Sequence, residues 1–119
     1  MRDHRSIIAW QEANRVVHTV LQCSRVCWRP YAAAVFSQLQ RASLSVQLNI
    51  AEGYALMSPK RFRNHLDVAY GSAIETQELL EILTGNSLLP GDLGNEAIRS
   101  CARTQRLLLG LIKRYRGSG

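Results

Sequence analysis

Apolar residues recur at alternating spacings of three and four along four separate stretches of this chain, which is the period of one face of an α-helix. In the first stretch Trp10, Ala13, Val17, Val20, Ser24 and Cys27 lie on one line, predicting a helix over 8–27. Trp28-Arg29-Pro30-Tyr31 ends it, because proline disfavours helix at the preceding residue and cannot donate a backbone hydrogen bond. A second line runs through Val35, Leu39, Ala42, Val46, Asn49, Gly53 and Met57, with Ile50 beside it, and predicts a helix over 32–57. Ser58-Pro59 then supplies a cap and a first helical residue for a third helix over 59–84. Its core line is Phe62, Leu66, Ala69, Ala73, Thr76, Leu80 and Leu83, and Gly85 is the expected left-handed stop. Residues 86–94 hold Pro90 and two glycines and read as a loop. A fourth helix over 93–116 turns Ala97, Cys101, Thr104, Leu108, Leu111 and Tyr115 inward, leaving 117–119 as a disordered tail.

No stretch alternates with period two, and 119 residues with 46% apolar content make one domain, 1–119, with a modest core. Short connections between sequential helices imply antiparallel neighbours. The fold expected is all-α, an up-down-up-down four-helix bundle.

Cys23, Cys27 and Cys101 are an odd number at no metal-finger spacing, which fits free thiols in a reducing compartment. His4, His18 and His65 complete no ligand set nearby in sequence, so no metal or other cofactor is expected. Neither a secretory leader nor an apolar run long enough for a bilayer is evident, and the expected location is cytoplasmic with no membrane partner. Enzymatic motifs are missing as well. There is no Glu-x-x-His pair of the di-iron bundles, no glycine-rich phosphate loop, no zinc-hydrolase pattern and no convincing nucleophile with its base. Glu52 and Glu75 are too weak a case for acid-base work, and nothing points to a small-molecule substrate. The expectation is a protein that is not an enzyme.

One block is too particular to be generic helix: Asn49-Ile50-Ala51-Glu52-Gly53, then Ser58-Pro59, then Ala69, Gly71-Ser72 and Glu75. With Ala9-Trp10-Gln11, the run Ser37 to Ala42, Ser45, and Leu111-Ile112, it resembles the small four-helix-bundle proteins encoded within intervening sequences of bacterial 23S ribosomal RNA genes. Two positions depart from that pattern, Gln47 for a proline and Tyr70 for a basic residue. The resemblance implies homopentameric, barrel-like assembly. A more distant similarity, to the accessory variability determinant protein of diversity-generating retroelements, implies RNA or a nucleic-acid enzyme as partner.

Within this block, Asn49 falls on an apolar line, where an amide fixes helix register or contacts a ligand, the structural role being favoured. Gly53 inside a helix costs roughly 1 kcal/mol against alanine, which close approach of a neighbouring backbone would offset. If helices two and three fold back about Ser58 with equal rise, positions summing to about 116 lie side by side. Glu75 is then expected to pair with Arg41, and Gly71 to approach Ser45.

Of fifteen basic residues thirteen are arginine, and the formal charge is +6. Residues 93–119 alone carry Arg99, Arg103, Arg106, Lys113, Arg114 and Arg116 against Glu96. Arg99, Arg103, Arg106 and Lys113 each stand two residues past a core position, roughly 200° from it, and form an outward stripe. Lys60, Arg61 and Arg63 crowd the start of the third helix, where the macrodipole disfavours cations, unless Arg63 pairs locally with Asp67. A solvated face explains such a stripe equally simply, but phosphate binding fits arginine's planar fork. Leu107, Leu109 and Ile112 widen the apolar arc of the fourth helix to about 200°, more than one core stripe requires, and imply self-association. The function expected is a homo-oligomeric protein binding RNA or DNA through Arg99, Arg103 and Arg106, supported by Arg61, Arg63, Lys113 and Arg114. The alternative is a protein-interaction scaffold whose arginines pair with acidic protein surfaces.

Overall fold

The computed structural model describes residues 3–117, and these form four helices: α1 Ile8–Cys27, α2 Ala33–Ala55, α3 Pro59–Gly85 and α4 Gly91–Arg114. Short 3-10 turns, His4–Ser6 and Pro30–Ala32, precede α1 and α2. The rod measures 45 × 21 × 20 Å. Each helix packs on two others, α1 and α3 both touching α2 and α4, with the most extensive contact between α2 and α3.

Side-chain bonds show the order of that contact. Gln38 bonds to Glu75, Ser45 Oγ to Ser72 Oγ at 2.8 Å, and Asn49 Oδ1 to His65 Nδ1 at 2.9 Å. Positions rise along α2 as they fall along α3, so this pair runs in opposite directions with the register expected about Ser58. The core divides lengthwise in the same sense. One cluster joins Val16, Val20 and Cys23 of α1 to Phe36 and Leu39 of α2, Leu80 and Leu83 of α3, and Ala97 and Cys101 of α4. The other joins Ala9 and Ala13 to Val46, Ile50, Phe62, Leu66, Leu108 and Ile112. The first lies at the end that carries the α1–α2 and α3–α4 connections, here the connection end. The second lies at the end with the α2–α3 turn and the outer ends of α1 and α4, the turn end.

The α3 core line is buried at all seven expected positions. In α2 the stripe is centred differently: Phe36 is fully buried, Val35 and Asn49 are half-buried, and Met57 is 69% exposed. Met57 leaves the helix altogether, because α2 ends at Ala55 and Met57 adopts φ 54° in the turn. The start of α2 also shifts by one residue, Ala32 belonging to the 3-10 turn that Pro30 opens.

Gly85 is not the left-handed stop. It is the last residue of α3, and Ser87 takes the positive φ, 57°. The closing bonds, Leu88 N–H to Leu83 O at 2.9 Å and Ser87 N–H to Thr84 O at 3.1 Å, form the paired helix-ending pattern in which an apolar residue beyond the turn packs back on the helix. Leu83 and Leu88 both belong to the connection-end cluster. The tight packing, rather than the glycine, sets the stop.

The stretch over 86–94 is also shorter as a loop than expected. Gly91–Gly94 is the first turn of α4, with Gly94 N–H donating to Pro90 O at 2.8 Å and Asp92 placed where the helix dipole favours a carboxylate. Gly94 is there for space: a Cβ would lie 2.5 Å from Thr84 Oγ1. The far end of α4 is Arg114 rather than residue 116. Of the expected tail, 118–119 lie outside the described residues, and Gly117 is in a turn at φ 83°.

Candidate nucleic-acid interface

Ser58 caps α3 as its spacing before a helix start suggests, its hydroxyl accepting from Arg61 N–H at 3.3 Å, with Pro59 at the first position. The cap fixes where Lys60, Arg61 and Arg63 emerge. No carboxylate occupies that first turn, and no ion pair joins Arg63 to Asp67 among the described residues. Arg63 is half-buried and its Nε is buried without a hydrogen-bond partner, whereas Arg61 is exposed. The local pairing that might have explained these cations is therefore not made.

On α4, Arg99, Arg103, Arg106, Lys113 and Arg114 are all exposed. Arg103 is not free, however. Its Nε stands 3.9 Å from Glu12 of α1, a carboxylate that also takes a hydrogen bond from Ser100 and lies 3.8 Å from Arg15. The sequence pattern missed this, because Glu12 comes from another helix. Its burial was legible in principle, since Ala9, Glu12 and Val16 continue the helical spacing and all three are buried.

The broad apolar arc of α4 is mostly taken up inside the protomer. Ile112 is buried, and Leu107 and Leu111 pack partly on the turn-end cluster. Because α4 touches both α1 and α3, a 200° arc is used without a second copy, and of the three expected interface residues Leu109 alone, at 39%, is exposed. Exposed leucines stand elsewhere, with Leu44 and Leu48 one turn apart on α2.

Across the α2–α3 hairpin the expected Arg41–Glu75 ion pair is replaced by a relay. Arg41 donates to Gln38 Oε1 at 2.8 Å, and the Gln38 amide donates to Glu75. Gln38, one turn before Arg41 on α2, takes the contact with Glu75 instead. Gly71 likewise does not meet Ser45: it is exposed with open space around it, and Ser72 makes the contact. Glu52 is exposed.

Asn49 and Gly53 converge on one residue that spacing alone had set aside, His65 of α3. Asn49 donates Nδ2–H to Ser45 O at 2.8 Å and to Ser45 Oγ at 3.2 Å, while its Oδ1 faces His65 Nδ1. A Cβ on Gly53 would stand 2.5 Å from His65 Cβ, so the close approach is to a side chain rather than to backbone. The fold-back register could have found this pairing, since it places residue 49 opposite about residue 67.

Three cavities open at the turn end. The largest, about 480 Å³, is a groove walled by Ile7, Tyr54, Phe62, Leu111 and Tyr115, with Arg114 beside them. Tyr54, Phe62 and Tyr115 form a chain of edge-to-face rings with centroids 5.5 and 5.0 Å apart. A second, about 290 Å³, is lined by Leu56, Arg61, Asn64 and His65.

The thiols are free and sit toward the other end. Burial pushes the Cys101 thiol up to about 11, and its Sγ–H donates to Ala73 O at 3.2 Å. Cys23 is raised by burial and then by Cys27. Among the described residues no three of His, Cys, Asp and Glu gather as a metal site would require, and no helix is long and apolar enough to cross a membrane.

Together these features define a small all-α protein of bundle type with its cations most numerous on α3 and α4. The chain belongs to the 23S rRNA-intervening sequence protein family, whose model matches residues 5–110. No curated protein matches it.

Proposed function

We propose that this is a non-enzymatic, homo-oligomeric cytosolic protein that binds RNA or another nucleic acid through phosphate contacts from Arg99, Arg103 and Arg106, with Arg61, Arg63, Lys113 and Arg114 in support. The observation that carries the reading is the exposure of α4's cations, with Arg103 alone of them within ion-pair distance of a carboxylate among the described residues. Arginine forks of this kind bind phosphate oxygens in pairs and position a nucleic acid without reading its bases. Self-association is supported by Leu44, Leu48 and Leu109, apolar side chains left at the surface. Copies related by a closed rotation would repeat the α4 cations around one axis, multiplying weak phosphate contacts.

A scaffold reading draws on the Glu12–Arg103 pair, which has the chemistry an acidic protein surface would offer to the neighbouring arginines. Salt titration separates the two. Binding to a structured RNA should weaken log-linearly with salt, with a slope of about 0.7–0.9 per phosphate contacted. Reversing Arg99 and Arg106 to Glu should cut that affinity and reduce the slope by about two. Unchanged RNA affinity together with loss of the oligomer would favour the scaffold, and a monomer by light scattering at micromolar concentration would remove the oligomeric part.

A further inference from the structure

We propose that Arg61, Asn64 and His65 form a phosphate-binding pocket at the foot of α3, aimed by Asn49 and given room by Gly53. It deepens the nucleic-acid reading by naming a site that grips a phosphate group, and it rests on that reading only for the identity of the molecule that carries the phosphate.

Orientation begins on α2. The Asn49 amide nitrogen donates to Ser45 O and Ser45 Oγ, which leaves Oδ1 as the end that faces His65. An oxygen there accepts only, so the proton of that bond sits on His65 Nδ1. The opposite edge of the ring then carries Nε2. That atom has no hydrogen-bond partner among the described residues, and it is not among the buried unpartnered atoms, so it meets solvent. His65 lines the 290 Å³ cavity together with Arg61, Asn64 and the apolar Leu56. Arg61 has no carboxylate within ion-pair distance among the described residues.

The chemistry of this set is that of a phosphate site. Arg61 offers a planar pair of donors and Asn64 a neutral donor, and His65, with one proton already on Nδ1, gives a third direction of donation by taking up a second proton on Nε2 as phosphate binds. Aspartate and glutamate are absent from the lining, so no carboxylate repels an anion or competes for the guanidinium. Gly53 explains itself in the same terms: any side chain at 53 would push His65 off its Cβ position and move Nε2 out of the cavity. Two residues of the Asn-Ile-Ala-Glu-Gly block thus act on one imidazole, as positioning residues for a group that lies on another helix.

The test uses the whole chain, its histidine ring nitrogens observed by NMR while inorganic phosphate, and separately a short structured RNA, are added. Without phosphate, His65 should show the Nδ1-protonated tautomer. Phosphate should shift its Nε2 signal saturably, and Arg61→Gln, a change at an exposed side chain, should weaken that binding about tenfold. Asn49→Leu, checked for fold by its amide spectrum, should release the tautomer and weaken phosphate as well. A His65 signal that phosphate does not move, or an Arg61→Gln variant that binds phosphate as tightly as the parent, overturns the pocket. If RNA binding falls with the α4 reversals while His65 stays silent, the pocket fails and the nucleic-acid reading stands. If phosphate moves His65 and RNA does not bind, the pocket stands and its ligand is a small phosphate compound.

Discussion

The two ends of the bundle use the same helices to different effect. At the connection end Phe36 and Leu39 of α2, Leu80 and Leu83 of α3 and Leu89 of the connection fill the core against Val16 and Val20 of α1, the α3–α4 turn tucks Leu88 back onto Leu83, and two thiols are buried. At the turn end Ala9, Ala13, Ala69 and Ala73 sit among Val46, Ile50, Phe62, Leu66, Leu108 and Ile112, an aromatic chain crosses the core, and three cavities open to the surface. Charge follows the same division. The turn end holds Arg5, Lys60, Arg61, Arg63, Lys113, Arg114 and Arg116 against Asp3, Glu52 and Asp67, with Arg5 paired to Asp3, whereas the connection end holds Glu78, Glu81, Asp92 and Glu96 against Arg25, Arg29 and Arg99. Small side chains let helices approach but leave gaps beside the large ones, and gaps next to unpaired cations are where a ligand can be held. One end is built for packing and the other keeps room.

That contrast predicts unequal costs for equal deletions. Leu80→Ala, fully inside the connection end, should destabilise by about 2–5 kcal/mol, and Leu111→Ala, on the wall of the turn-end groove, by only about 1 kcal/mol because part of its surface is already wet. Urea unfolding of the two variants measures the difference, and equal losses would abolish the distinction between the ends.

Alkaline pH should attack the connection end. The Cys101 thiol is raised from 9.0 to about 11 by burial, so the folded state holds its proton more tightly than the unfolded chain does. That contribution is complete below pH 9 and is lost as pH rises towards 11, a loss on the order of 2 kcal/mol at ~1.4 kcal/mol per unit. Cys23, raised in the same direction, adds to it. Unfolding measured across this window should flatten in Cys101→Ala relative to the parent, and parallel curves would show that the thiol does not set the slope.

Glycines sharpen the comparison at finer scale. Gly53→Ala forces a methyl against His65 and should cost about 1–3 kcal/mol through overpacking at the α2–α3 contact. Gly71→Ala, on the same pair of helices but facing open space, should instead gain about 0.5–1 kcal/mol of helix propensity. Thermal midpoints moving in opposite directions would bear this out. A stabilised Gly53→Ala would mean that His65 gives way easily, and would weaken the case for a rigidly held imidazole.

Much of the fold is legible in the sequence. The α3 line is legible residue by residue because Phe62, Leu66, Leu80 and Leu83 fix the stripe at both ends of the helix and Ala69, Ala73 and Thr76 continue its spacing between them. In α2 the spacing runs equally well through Val35 and Met57 as through Phe36, because alanines and serines on both flanks give little contrast to centre the stripe. Glycine misled twice, at Gly85 and at Gly91–Gly94, where the expected loop chemistry yielded to packing of Leu88 and to the space beside Thr84. The candidate site was legible as a set of cations and not as a set of partners. Arg103 meets Glu12, Gln38 meets Glu75, and Asn49 meets His65, each across helices.

The number of helices, their breaks and the residues of α3 that go inside were determined by the sequence itself, because helical period, caps and proline act within a few neighbouring positions. Which cations kept a carboxylate, which glycine was crowded and which histidine was held by an asparagine were decided only by the tertiary structure. Helices slide past one another in steps of about 1.5 Å per residue. A register known to within two residues therefore leaves about 3 Å undetermined, enough to exchange one hydrogen-bond partner for the next along the chain.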